Sequence, residues 1–129
     1  MLCAMTIAAG LRAEMLVLVE REDTAARVGS GDVPVLATPR LLAIAEAATV
    51  RALSGHLAPD QTSVGTKVTL SHLAASPVGS HVAVVAELTE VDGRRLVFEV
   101  TARELRRTVA TATIERVVVD RERFLAALI

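Results

Sequence analysis

Beyond residue 60 apolar side chains recur at every second position. Val64, Thr66, Val68, Leu70 and His72 share one face of a predicted strand, with Gly65, Lys67, Thr69 and Ser71 on the other. Pro77 and Gly79 predict a turn. Val82, Val84, Ala86 and Leu88 then share a face, and Asp92-Gly93 is a hairpin signal. Leu96, Phe98, Val100 and Ala102 alternate next, and a charged turn over 104–107 leads to a last strand through Val119. Asp120 is placed to cap a short closing helix containing Phe124 and Leu125. Upstream, residues 14–20 (EMLVLVE) predict a first strand, followed by a polar stretch over 21–27. Residues 28–36 (VGSGDVPVL), with two glycines and a proline, predict a loop.

One segment repeats at the helical period. Thr38 reads as an N-cap and Pro39 as the first helical residue, where its missing N–H costs nothing. The helix continues through Leu42, Ala45, Glu46, Thr49, Val50 and Leu53, and Gly55 predicts its end.

Strand, loop, one long helix and four antiparallel strands imply an α+β fold in a single domain over 1–129, with residues 1–11 as a terminal extension. Ala43, Ala45, Ala47 and Ala48 permit the close approach needed where a curved sheet wraps a helix, the arrangement of the hot-dog fold. Such a sheet has open edges, so a homodimer is expected.

Composition narrows the partners. The chain is 52% hydrophobic but has no Trp or Tyr and only two Phe, and its formal charge is -1. Nucleic-acid binding normally requires a basic surface, with aromatic platforms for single strands, so no nucleic-acid partner is expected. The single cysteine, Cys3, cannot form an internal disulfide, which favours a reducing compartment. Residues 1–10 are apolar but too few to span a bilayer. The expectation is a cytoplasmic protein with no membrane partner. Three histidines without ligand spacing predict no metal, and neither a phosphate-cradling glycine loop nor a Gly-x-Ser-x-Gly elbow occurs. Arginines at 103–107 and 121–123 alternate with acids and read as solvated faces.

Three residues break the pattern. On a helical wheel Glu46 falls among Leu42, Thr49, Val50 and Leu53, opposite Arg40 and Arg51. A carboxylate there must be paired, hydrogen-bonded, protonated or facing a cavity. It is either structural or functional. His72 ends the apolar face of its strand, as a satisfied core imidazole or a catalytic one; His56 and His81 read as surface residues. Thr38 has a structural role as a cap, yet a hydroxyl at a helix N-terminus also sits where an anion or polarised carbonyl is stabilised.

The stretches GSGDVPVLATPRLLAIAEAA (29–48), TSVGTKVTLSHLAASPVG (62–79), AELTEVDGRRLVFEV (86–100) and ERVVVDRERF (115–124) resemble the fluoroacetyl-CoA thioesterase-like hot-dog proteins over roughly residues 11–125. The resemblance implies hydrolysis of acyl-CoA thioesters, with coenzyme A as part of the substrate and no separate cofactor. It implies a catalytic group of Thr38, Glu46 and His72, and substrate contacts from the backbone amide of Gly65 and from Arg116. In such a group Glu46 serves as general base or nucleophile and His72 assists the leaving thiolate. Thr38 orients the attacking group, and the Gly65 amide polarises the carbonyl. A non-catalytic acyl-CoA-binding protein and an enoyl-thioester hydratase are the alternatives. The fluoroacetate-specific member carries a phenylalanine lid, whereas residues 29–35 here contain none. Broad short- or medium-chain acceptance is therefore expected. Ile114 stands where several relatives are polar.

Overall fold

The computed structural model describes residues 7–129. Its elements are β1 (Arg12–Leu18), a 3₁₀ turn (Arg21–Asp23), α1 (Ala25–Val28), α2 (Thr38–Ala52), β2 (Gln61–His72), β3 (His81–Asp92), β4 (Arg95–Glu104), β5 (Arg107–Asp120) and α3 (Arg121–Ala126). The five strands form one antiparallel sheet in the order β1-β3-β4-β5-β2, which leaves β1 and β2 at the edges. The α+β hot-dog arrangement is as expected. Of the expected extension over 1–11, residues 1–6, with Cys3, lie outside the described residues. Ile7 and Leu11 pack against the core, and the Gly10 N–H donates to the Leu88 carbonyl at 2.8 Å.

Strand periodicity located β3, β4 and β5 well, because alternate side chains are driven into one core. Leu88, Leu96, Phe98 and Ile114 are fully buried. Gly93, at φ +60°, closes the β3–β4 hairpin, and the Asp120 side chain caps α3 through the Arg123 N–H at 3.0 Å. The first strand sits two residues earlier than 14–20. The polar stretch after it is folded too, since the Thr24 hydroxyl caps the one-turn helix α1.

Helix α2 departs from the sequence reading in two ways. Its N-cap is Ala37, with Thr38 already helical and Pro39 one position inside. Thr38 makes no cap, and its hydroxyl is free for another partner. The buried face is formed by Leu41, Ile44, Ala45, Ala48, Thr49 and Ala52, while Val50 is exposed and Glu46 half-buried. The sheet accepts Leu41 and Ile44 together with the small Ala45, Ala48 and Ala52, where added methylenes would cost about 1–3 kcal/mol by forcing helix and sheet apart. Ala43 and Ala47, expected to permit the close approach, are exposed.

Strand β2 carries a bulge. Gly65 pairs with Arg116 and Lys67 with Glu115, so Thr66 is the extra residue and the alternation inverts there. Ser63 and Gly65 therefore face inward with Val68, Leu70 and His72. Val64 and Thr66 belong to the opposite face, which corrects the single Val64-to-His72 face read from the sequence.

Candidate active site

The strand–helix packing produces two polar clusters along α2. At the N-terminal end the Thr38 hydroxyl lies 2.8 Å from His72 Nδ1, joining the first turn of α2 to the last residue of β2. His72 Nε2 is buried, with no hydrogen-bond partner among the described residues. The pair sits in an open cleft of about 360 Å³, walled by Ser30, Gly31, Val33 and Val35 on one side and by Leu73 to Ala75 on the other. The cleft wall is therefore the glycine-containing loop before α2, which holds no aromatic side chain.

Two helical turns on, Glu46 meets Arg116 of β5, with Oε2 3.3 Å from Nη1. The Arg116 side chain is only 8% exposed and that of Glu46 36%. Ser63 fixes the guanidinium: Nε donates to its hydroxyl at 2.9 Å and Nη2 to its carbonyl at 3.1 Å. Burial pushes the Arg116 pKa down, and the Glu46 carboxylate pulls against that. A buried guanidinium depends on such partners, because an unpaired charge in this position is costly.

Gly65 completes this cluster by leaving space. A Cβ there would lie 2.5 Å from Glu46 Oε2 and 3.5 Å from Arg116 Nη1. Its backbone is not in the left-handed region, so what a side chain at this position would disturb is the Glu46 carboxylate, which would have to move. The expected contacts Gly65 and Arg116 thus both adjoin Glu46 and lie away from the Thr38–His72 cleft.

All five residues anticipated from the sequence occupy one side of the helix–sheet layer, but they form two groups. Thr38 and Glu46 are eight residues apart on α2, about 12 Å along its axis. A single chain does not place Glu46 against His72. Ser63 was missed. The signal was available, since a glycine inside a strand pattern often marks a bulge, and a bulge here turns Ser63 inward.

Comparison with known proteins decides the family. The family model described as fluoroacetyl-CoA-specific thioesterase matches residues 19–122. The chain belongs to this family. The fluoroacetyl-CoA thioesterase of Streptantibioticus cattleyicolor is 40% identical over 90 residues, covering 70% of this chain and 65% of that relative. The chain thus matches just under two thirds of that curated relative's length. A solved structure of the fluoroacetyl-CoA thioesterase FlK superposes with a TM-score of 0.88 at 32% identity, covering 95% of this chain and 96% of that one. A thioesterase superfamily member from Thermus thermophilus superposes with a TM-score of 0.87 at 27% identity, over 95% of this chain and 91% of its own. The family match spans every element from the 3₁₀ turn to β5, and so includes both polar clusters and the loop that walls the cleft.

Proposed function

We propose that this fluoroacetyl-CoA thioesterase-family chain is a thioester hydrolase acting on short or medium acyl-CoA substrates. The observation that carries the reading is the Thr38–His72 contact in the cleft beside the 30–35 loop. A hydroxyl and an imidazole held 2.8 Å apart at a helix N-terminus can orient a thioester carbonyl and protonate a departing thiolate.

Glu46 supplies the carboxylate. As general base it takes a proton from water as the water oxygen attacks the thioester carbon. The oxyanion then collapses, the C–S bond breaks, and His72 gives a proton to the sulfur. As nucleophile its carboxylate oxygen attacks the thioester carbon, the C–S bond breaks as His72 protonates the departing thiolate, and water hydrolyses the acyl-Glu46 anhydride to the free acid and Glu46. Incorporation of labelled oxygen into Glu46 during a single turnover separates the two routes. The Gly65 amide polarises the carbonyl, and Arg116 holds the Glu46 carboxylate aimed.

The active unit is a homodimer in the cytoplasm. Antiparallel pairing of two β2 edges sets the Gly65 half of one strand against the His72 half of the other, so that Glu46 of one copy works with Thr38 and His72 of its partner. The edge position of β2 and the His72 Nε2, both unpaired among the described residues, support this reading together with the half-exposed Glu46. No helix among the described residues is long and apolar enough to cross a membrane.

The test is a panel of acyl-CoA thioesters from acetyl upward, followed by release of free thiol. Hydrolysis that depends on Glu46 and His72 supports the assignment; binding of the panel without turnover overturns it.

A further inference from the structure

The turn between β4 and β5 carries three arginines within five residues, Arg103, Arg106 and Arg107, against one carboxylate, Glu104. Arg107 is committed. Its Nη2 donates to Glu104 at 3.1 Å and to the Ala75 carbonyl at 2.8 Å, and Ala75 is part of the wall of the Thr38–His72 cleft. This contact fixes the turn against the rim of the cleft. Arg103 Nη1 bonds the Thr108 hydroxyl at 3.0 Å and Nη2 the Arg106 carbonyl at 3.2 Å, which braces the backbone of the tip. Arg106 is exposed and makes no ion pair among the described residues.

Glu104 is anionic, since the Ser80 hydroxyl beside it and its Arg107 partner hold its carboxyl below the usual range. It neutralises one of the three guanidinium groups and leaves two positive charges unmatched, in a chain whose overall charge is -1. The tip is also strained, because Leu105 adopts φ +53° with its side chain 94% exposed. A leucine in the left-handed region, with no packing to stabilise it, adopts this conformation against its own preference. The tight turn it makes brings the Arg106 backbone against the Arg103 guanidinium, and Arg106 itself is exposed.

We propose that Arg106 and Arg103 form a clamp for the phosphates of the coenzyme A nucleotide, holding the polar end of the substrate while its thioester lies in the adjacent cleft. This rests on the acyl-CoA reading above and extends it to the leaving group. Guanidinium groups suit the task because their planar fork matches phosphate oxygens in pairs. At an exposed rim such contacts are screened by salt.

Calorimetric binding of free coenzyme A, dephospho-coenzyme A and pantetheine tests the clamp without requiring turnover. Wild-type protein should bind coenzyme A more tightly than pantetheine. Arg106→Ala should weaken coenzyme A by about tenfold at low salt, and Arg103→Ala/Arg106→Ala by more, while pantetheine loses far less. Dephospho-coenzyme A separates a contact to the 3′-phosphate, which it lacks, from one to the diphosphate. Arg12→Ala removes the same charge from edge strand β1 and should shift coenzyme A affinity by less than about twofold. Equal coenzyme A affinity in the wild type and the double variant would overturn the clamp, as would a wild type that does not distinguish coenzyme A from pantetheine. Tight, Arg106-dependent coenzyme A binding with no hydrolysis of any acyl-CoA would uphold the clamp and reject the thioesterase reading.

Discussion

The Thr38 hydroxyl and His72 Nδ1 lie 2.8 Å apart although 34 residues separate them in the chain. The contact assigns the hydroxyl to the cleft, because Ala37 occupies the N-cap position and no side chain caps α2. Thr38→Ala should therefore lower thioester hydrolysis roughly tenfold or more, the lower range for a positioned polar group. Thr38→Ser, which keeps the oxygen, should retain most activity. Thermal unfolding of Thr38→Ala should show less than the ~1 kcal/mol loss typical of a missing cap. A large stability loss with normal turnover would return Thr38 to a purely structural role.

Glu46→Gln and His72→Ala should each reduce hydrolysis by roughly 10²-fold. If each site combines Glu46 of one copy with His72 of the other, mixing the two dead variants regenerates some intact sites. Unbiased exchange makes about half of the dimers mixed, with one of two sites complete, so activity should return to about a quarter of the wild-type level. No recovery on mixing, with exchange shown by mass, would mean that one chain supplies both groups. A solution mass of 13.6 kDa at micromolar concentration would remove the dimer altogether.

Gly65→Ala isolates the positioning of the carboxylate. The new Cβ would sit 2.5 Å from Glu46 Oε2, so the carboxylate must swing away while the backbone of β2 remains unstrained. The expected result is a fall in kcat of about tenfold, the scale of a misplaced acid–base group, together with a lower melting temperature as the buried Arg116 loses its carboxylate partner. Unaltered kcat would show that Glu46 does not work from this position.

What could be read in advance followed from how strongly each feature constrains the sequence. Leu96, Phe98 and Val100 alternate because the sheet buries one face, and Asp92-Gly93 announces its turn chemically. Glu46 and His72 stood out because a polar group on an apolar run is costly unless it has a purpose. The β2 bulge was signalled only by a glycine, Gly65, inside a strand pattern; which residue is the extra one follows from the pairing with β5. The face of α2 was misjudged because apolar residues surround much of the helix, and Leu41 and Ile44, with Ala45, Ala48 and Ala52, face the sheet while Val50 and the alanines at 43 and 47 are exposed. Arg116 entered only through family resemblance, and its partner Ser63 could be reached only by taking Gly65 as the mark of a bulge.

Asp23 links the turn after β1 to α2 through Arg40, 2.8 Å away. Burial raises the pKa of its carboxyl, but the Arg40 hydrogen bond and charge and the Glu20 amide outweigh this, leaving it below the ordinary 3.8. The folded state therefore binds the proton less readily than the unfolded state. The resulting stability is present above pH 3.8 and disappears as pH falls through the folded value. Denaturant titrations between about pH 5 and pH 3 should show a steeper acid loss in wild type than in Asp23→Asn. Identical slopes would show that Asp23 is not among the groups governing acid stability.

Substrate choice follows from the cleft wall. Ser30, Gly31, Val33 and Val35 line it, and residues 29–35 contribute no ring that could close over an acyl group. Distinguishing fluorine from hydrogen requires a dry, closely fitted pocket, and small apolar differences are worth only ~1–3 kcal/mol even there. An open wall of glycine, serine and valine admits water and tolerates added methylenes. The kcat/KM values for fluoroacetyl-CoA and acetyl-CoA should thus differ by no more than about tenfold, and butyryl-CoA should remain a substrate. Introducing an aromatic side chain at the wall, Val33→Phe, should reduce the butyryl rate more than the acetyl rate. A thousandfold preference for fluoroacetyl-CoA in the unmodified protein would place the discrimination in residues outside this loop.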